Sequence, residues 1–356
     1  MPVEEAPQAN PATETNSPYL LEIRNLKMHF PVKGGVFMRE KARLKAVDGV
    51  NLHLEKGETL GLVGESGCGK STLGKCILRL YEPTDGQILF DGADITRSGT
   101  GELKPLRRNV QMIFQDPAES LNSRLTIGEI LEEPFIIHRI GSKGERKARV
   151  AELLDKVGLG ADAADRFPFE FSGGQRQRIG IARAIALNPR LVVCDEPVSA
   201  LDVSVQSQII NLMLDLQREL DLSYIFIAHD LAVVKHISDR IAIMYLGRIV
   251  ELADADSIFT RPLHAYTQAL LRAIPKPDPR SRAEAKILHG EVPSPIDPPK
   301  GCAFASRSPL PHSAAQAAVE PVWKELEPGH WVDVHPATVQ DWKEHLGEEE
   351  RARFEV

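Results

Sequence analysis

Gly64-Glu-Ser-Gly-Cys-Gly-Lys-Ser71 spaces its glycines, lysine and serine as G-x-x-x-x-G-K-[ST]. It follows the apolar run Leu60–Val63 and opens a helical pattern, Lys70–Leu80. That context decides its meaning. Glycines let the backbone curl so that successive N–H groups point at one anion, and the helix N-terminus adds its positive end. Gly64, Glu65, Ser66, Gly67, Cys68, Gly69, Lys70, Ser71 and Thr72 are therefore expected to cradle a nucleoside triphosphate. In this pattern Lys70 reaches the β- and γ-phosphates and Ser71 offers its hydroxyl to Mg²⁺.

The rest of the chain agrees with a strand-turn-helix cradle of this kind. Short apolar runs (Leu20–Ile23, Val50–Leu54, Thr59–Val63, Asn109–Phe114, Leu191–Cys194, Tyr224–Ala228) alternate with helical patterns. The helices are read at Thr126–His138, Gly144–Val157, Gln175–Leu187 and Val205–Leu220. The expected class is α/β: a P-loop NTPase core with a parallel sheet, an antiparallel β subdomain and a helical insert at about residues 116–171. Residues 1–18, rich in Pro, Ala, Glu, Asn and Thr, read as a disordered leader. The main domain runs 19–273. Prolines then crowd residues 274–300 as a semi-rigid linker, and 301–356 form a small C-terminal appendage.

Charge and cysteine content narrow the classes further. The net charge of −7 argues against nucleic acid as a partner. Four scattered cysteines give no disulfide framework and suit a reducing cytoplasm. No run of about 18 apolar residues occurs, so any transport lane must come from other subunits.

Leu191-Val-Val-Cys-Asp195-Glu196 supplies the second half of a hydrolytic site. An apolar strand ending in Asp195 sets a carboxylate beside bound Mg²⁺, and Glu196 next along can polarise an attacking water. Phe171-Ser-Gly-Gly-Gln175 is a second anion cradle before a helix, continued by Arg176-Gln-Arg-Ile-Gly-Ile-Ala-Arg-Ala184.

This last segment resembles the signature motif of the ABC ATPase family. The resemblance implies two ATPase chains paired head to tail, with ATP held between one chain's P-loop and Ser172, Gly173, Gly174 and Gln175 of the other. It further implies that Gln115 (a Mg²⁺ ligand in the Q-loop), Asp202 in Ser199-Ala-Leu-Asp202 and His229 act at the site. Phe30 stands where an aromatic stacks on adenine, with Phe37 as the lesser candidate. A P-loop kinase or GTPase would lack Ser172-Gly-Gly-Gln175 and His229. A non-transport ABC ATPase would need paired ATPase domains or a long coiled coil, and the sequence shows neither.

From Leu20 to Val334 the chain is similar to the ATPase subunits of dipeptide and oligopeptide importers. Phe114-Gln-Asp-Pro117, Glu170-Phe-Ser-Gly-Gly-Gln-Arg-Gln-Arg178, Ser199-Ala-Leu-Asp-Val-Ser204, Ser294-Pro-Ile-Asp-Pro-Pro-Lys-Gly-Cys302 and the insertion Pro31–Lys45 carry that similarity. It implies ATP hydrolysis driving peptide import. Its partners would be a second ATPase subunit (homologue or copy), two transmembrane permease subunits and, indirectly, an extracytoplasmic solute-binding protein. The chain would sit peripherally on the cytoplasmic face of the inner membrane. Relatives of the same group serve nickel, glutathione, sugars or opines, so the solute stays open.

Two features depart from the group. Phe169 stands where His is usual. In the tail, where four cysteines often hold an iron–sulfur cluster, only Cys302 remains, and the matching places hold Ser308, Ala315 and Val334. Cys68, Cys76 and Cys194 belong to the core and cannot converge on Cys302. No iron–sulfur cluster is expected, and the tail must be held by packing, with Phe304, Trp323 and Trp331 as candidates.

Overall fold

The computed structural model describes residues 18–34, 39–116, 120–274, 288 and 290–355. All but the last residue of the expected leader, together with Phe37, Pro117 and the linker residues 275–287 and 289, lie outside them. The first ordered segments are two long strands, β1 (Leu21–Gly34) and β2 (Arg39–Leu54), paired antiparallel from Leu21 opposite Leu54 out to Gly34 opposite Arg39. Alternation buries Leu21, Ile23, Val50, Leu52 and Leu54 on one side. The stretch read as the insertion Pro31–Lys45 falls largely on the outer half of this hairpin, where Phe30 faces Leu44 and Val32 faces Ala42.

After β2 the chain crosses to a second sheet as β3 (Thr59–Val63), then returns as β4 (Asp85–Phe90) and β5 (Ala93–Asp94). The antiparallel sheet has the order β2-β1-β4-β5. The main sheet adds β6 (Val110–Ile113), β7 (Leu191–Asp195), β8 (Ser223–Ala228) and β9 (Arg240–Tyr245), parallel in the order β9-β3-β8-β7-β6. Every residue of β3, β7 and β8 is buried, as expected for parallel strands covered on both faces.

β10 (Arg248–Asp254) folds back on β9 through Leu246-Gly247, both at positive φ (43° and 80°), the two-residue turn whose twist suits a hairpin. β11 (Val322–Glu327) and β12 (His330–Val334) then form a second hairpin, and β12 pairs with β10 at Glu251–Val332 and Leu252–Trp331. Residues 322–334 thus extend the main sheet, giving the order β11-β12-β10-β9-β3-β8-β7-β6. Composition does not say which edge of the sheet a later strand joins. Phe304 is buried in the main core, Trp323 and Trp331 stack at 6.1 Å, and Val332, Val334, Val339, Leu346 and Phe354 make a small core of their own.

Several helix boundaries differ from the sequence reading. The helix expected to run Lys70–Leu80 ends at Ile77, because Arg79 takes a left-handed φ of 54°. Asn109, read as the start of a strand, closes a helix, Leu103–Asn109. Within the insert, helices Ile127–Ile137 and Lys143–Lys156 start with capping boxes, Thr126 with Glu129 and Ser142 with Glu145. Leu131, Phe135, Val150 and Leu154 bury their shared face.

Candidate nucleotide site

The P-loop joins β3 to the helix Lys70–Ile77. Gly69 has φ 111°, and a Cβ there would lie 2.0 Å from the Ala46 carbonyl; one on Gly64 would lie 2.1 Å from the Met244 carbonyl. Only glycine fits such close backbone approach. The buried Lys70 ammonium donates to the Gly64 and Glu65 carbonyls at 2.7 and 3.1 Å, so it lies folded over the loop it serves. Burial pushes the neighbouring Cys68 thiol up, away from thiolate chemistry.

Ser71 Oγ donates to Asp195 Oδ1 at 2.8 Å, which joins the P-loop helix to the end of β7. Burial raises the Asp195 carboxyl, and the Ser71 hydrogen bond only partly offsets this. A hydroxyl and an under-compensated buried carboxylate are hard oxygen donors of the type Mg²⁺ takes.

Glu196, the next residue, is held at φ 46°, a conformation a non-glycine residue keeps only when its surroundings enforce it. Its N–H donates to the Ile227 carbonyl of β8 at 3.0 Å. Its Oε2 accepts from Gln115 Nε2 at 2.9 Å and lies 3.6 Å from Nδ1 of His229, whose side chain is half-exposed. The turn therefore throws the carboxylate out of the sheet, between the ends of β6 and β8. Here Gln115 grips Glu196; its amide forms no hydrogen bond with the Ser71–Asp195 pair.

Phe30, Ser66, Gly67, Gly69, Lys70, Ser71, Thr72, Gln115, Glu196 and His229 line one cavity of about 580 Å³. Phe30 meets Tyr81 edge to face at 5.4 Å. A second, larger cavity of about 900 Å³ shares Gln115 and is lined by Asp195, Phe114, Leu106, Pro134 and Arg183.

Ser172, Gly173, Gly174 and Gln175 line neither cavity. Ser172 caps the helix Gly173–Ile185 in a box with Gln175, accepting from Gln175 N at 3.3 Å. Asp202 caps the next long helix, Val203–Leu220, accepting from Val205 N at 3.0 Å. A Cβ on Gly174 would fall 2.6 Å from Val205 Cγ1, so the two helix starts pack together. Neither helix start faces the P-loop cavity.

Three contributors escaped the sequence reading. Pro295 lines the smaller cavity with Phe30, and its carbonyl accepts from Lys45 N at 2.9 Å. The Ser294-Pro-Ile-Asp-Pro-Pro run was visible, but its partner strand was not. Tyr266 and Arg307 both bind Glu65 of the P-loop, from 201 and 242 residues away, and no local pattern marks such pairs.

A parallel sheet with a P-loop, the Ser71–Asp195 pair and the Glu196 carboxylate at its strand ends has the arrangement of a P-loop nucleotide hydrolase. The model of the ABC transporter family matches residues 47–199, and that of the oligopeptide/dipeptide transporter C-terminal region matches residues 250–314. The oligopeptide transport ATP-binding protein AppF of Bacillus subtilis (strain 168) is 52% identical over 326 residues, 91% of this chain and 99% of AppF. Among solved structures, the dimeric post-hydrolysis state of the ATP-binding cassette MJ0796 bound to ADP and Pi is 31% identical, with a TM-score of 0.59 over 66% of this chain and 98% of the cassette. CbiO1 of Clostridium perfringens, part of the ABC transporter complex cbiONQ, is 26% identical, with a TM-score of 0.59 over 69% and 92%. The chain belongs to the ABC transporter ATPases, in the group that carries the oligopeptide/dipeptide transporter C-terminal region.

Proposed function

We propose that this chain hydrolyses MgATP on the cytoplasmic face of the plasma membrane to drive import of di- and oligopeptides. It does so through two permease subunits served by an extracytoplasmic solute-binding protein. Among the described residues no helix is long and apolar enough to cross a membrane, which leaves the lane to those subunits. The observation that carries the hydrolytic role is the Glu196 carboxylate, gripped by Gln115 and faced by His229 beside the P-loop. The family region at 250–314 and the likeness to AppF support peptides as the solute.

In this reading Phe30 and Pro295 flank the base, residues 64–72 wrap the phosphates, and Lys70 swings from its own loop carbonyls to the γ-phosphate. Ser71 and Asp195 would hold Mg²⁺, which when bound would supply charge neutralisation to the phosphates. Water held by Gln115 and His229 attacks the γ-phosphorus and gives its proton to Glu196, and ADP leaves as phosphate forms. Ser172, Gly173 and Gly174 close over the γ-phosphate of a second ATPase subunit, so loss of that phosphate reopens the pair. The 900 Å³ cavity between core and insert, with exposed Leu80 and Phe114 beside it, fits a helix of the permease, and Gln115 borders both spaces.

Glu196→Gln tests the chemistry. Binding of MgATP should persist while turnover falls at least about 100-fold, the usual weight of a general base. Turnover at the wild-type rate would remove Glu196 from that role. For the solute, disrupting the gene should abolish uptake of labelled di- or oligopeptides and spare nickel, glutathione and sugars; the reverse pattern would reassign the cargo.

A further inference from the structure

We infer that Arg307 is a positioning residue for ATP: through Glu65, the C-terminal tail sets how tightly the P-loop holds the triphosphate. The inference rests on the proposal that ATP binds there. Glu65 is the second residue of the loop, a carboxylate placed where a polyanion must sit. Arg307 Nη1 and Nη2 donate to its Oε2 and Oε1 at 2.6 and 3.0 Å, the parallel fork that makes guanidinium–carboxylate pairs strong and directional. The Arg307 side chain is only 7% exposed. Tyr266 adds a second grip: its hydroxyl accepts from Glu65 N at 3.0 Å and lies 3.5 Å from Oε2.

Arg307 is itself built in. It follows Phe304, which packs against Tyr245, Tyr266 and His264, and its guanidinium lies 5.8 Å from the Tyr245 ring. The pair with Glu65 raises its affinity for the proton still further, so it stays charged at every working pH. Two consequences follow. Arg307 cancels a charge that would repel the phosphates and ties the first turn of the loop to Tyr245 of β9, while Tyr266 ties it to the helix Ala265–Arg272. The tail is thereby wired into the nucleotide site across 242 residues of sequence.

The test uses the full chain and MgATP. Arg307→Met should weaken ATP binding about tenfold, as expected for losing a hydrogen-bonded charge beside the ligand. It should raise KM for ATP while kcat at saturating ATP changes little. Arg307→Lys should recover part of the affinity. Adding Glu65→Gln to Arg307→Met should recover most of it, because the stranded carboxylate is then gone. All three tryptophans (Trp323, Trp331 and Trp342) lie in the tail, so their fluorescence reports whether it stays docked. Unchanged affinity in Arg307→Met would overturn the proposal. So would a double variant no tighter than the single one, which would reduce Arg307 to a structural prop. Failure of the wild-type chain to bind MgATP would instead remove the P-loop reading beneath it, and Lys70→Ala provides the control for that.

Discussion

Lys70 is held by two carbonyls of its own loop and is buried before any phosphate arrives. Its charge is thus kept ready, and the ligand only has to replace weak acceptors with stronger ones. Lys70→Ala should cost ATP about 2 kcal/mol or more of binding, the scale of a charge-assisted hydrogen bond. Equilibrium binding of MgATP would show this, and wild-type affinity would contradict it. At this scale the sequence was most informative where chemistry depends on neighbours along the chain. Gly64 to Ser71 and Asp195-Glu196 owe their placement to local backbone geometry, so their proximity could be expected from the chain alone. The grip of Gln115 on Glu196 could not, since it depends on a rotamer at the end of one strand meeting a strained turn at the end of another.

The helix Gly173–Ile185 carries the expected cradle residues at its N-terminus, and Asp202 and Gly174 seat it against the helix Val203–Leu220. Both helix starts lie away from the chain's own nucleotide cavity. In the proposed pairing each helix start would serve the nucleotide of a second subunit. ATPase activity per chain should rise with concentration, or on adding the cognate partner, and then plateau. A specific activity constant across the dimerisation range would count against a shared site. Elements with strong periodicity were legible: the insert helices, read from Thr126 and Gly144, run Ile127–Ile137 and Lys143–Lys156 behind the caps Thr126 and Ser142. The hairpin of β9 and β10 was not foreseen. Its turn is Leu246-Gly247, and a leucine at positive φ gives no turn signal.

The fold as a whole closes the tail onto the ATPase through groups that need particular protonation states. His264 caps its helix by accepting from Tyr266 N through Nδ1 at 3.0 Å, and His335 accepts from Ala337 N through Nδ1 at 2.9 Å. Both roles require neutral rings. Burial lowers their pKa values to about 3 and about 4. The unfolded chain therefore takes up protons below about pH 6.5 that the folded chain refuses. This stability is complete above that pH and is lost as pH falls toward 4. Asp333 acts in the opposite sense: burial pushes it up to about 7, so its contribution is lost as pH rises from about 4 through 7. Each group is worth about 2 kcal/mol at pH 5, so two histidines against one aspartate leave a net loss on the order of 2 kcal/mol. Denaturant midpoints followed by tryptophan fluorescence should fall between pH 7 and 5, and a rise would show that Asp333 dominates. The sequence disclosed an appendage with a single cysteine, Cys302, but not that its strands join the main sheet, because strand pairing at such separation leaves no mark on composition. That pairing makes β12 a shield. Strip residues 301–356 away and β10 becomes a bare rim whose apolar Ile249, Val250 and Leu252 and open amide row invite other chains to add on. The tail is thus a guard against sticking, and a shortened chain would meet its fate in the pellet before its catalysis could be judged.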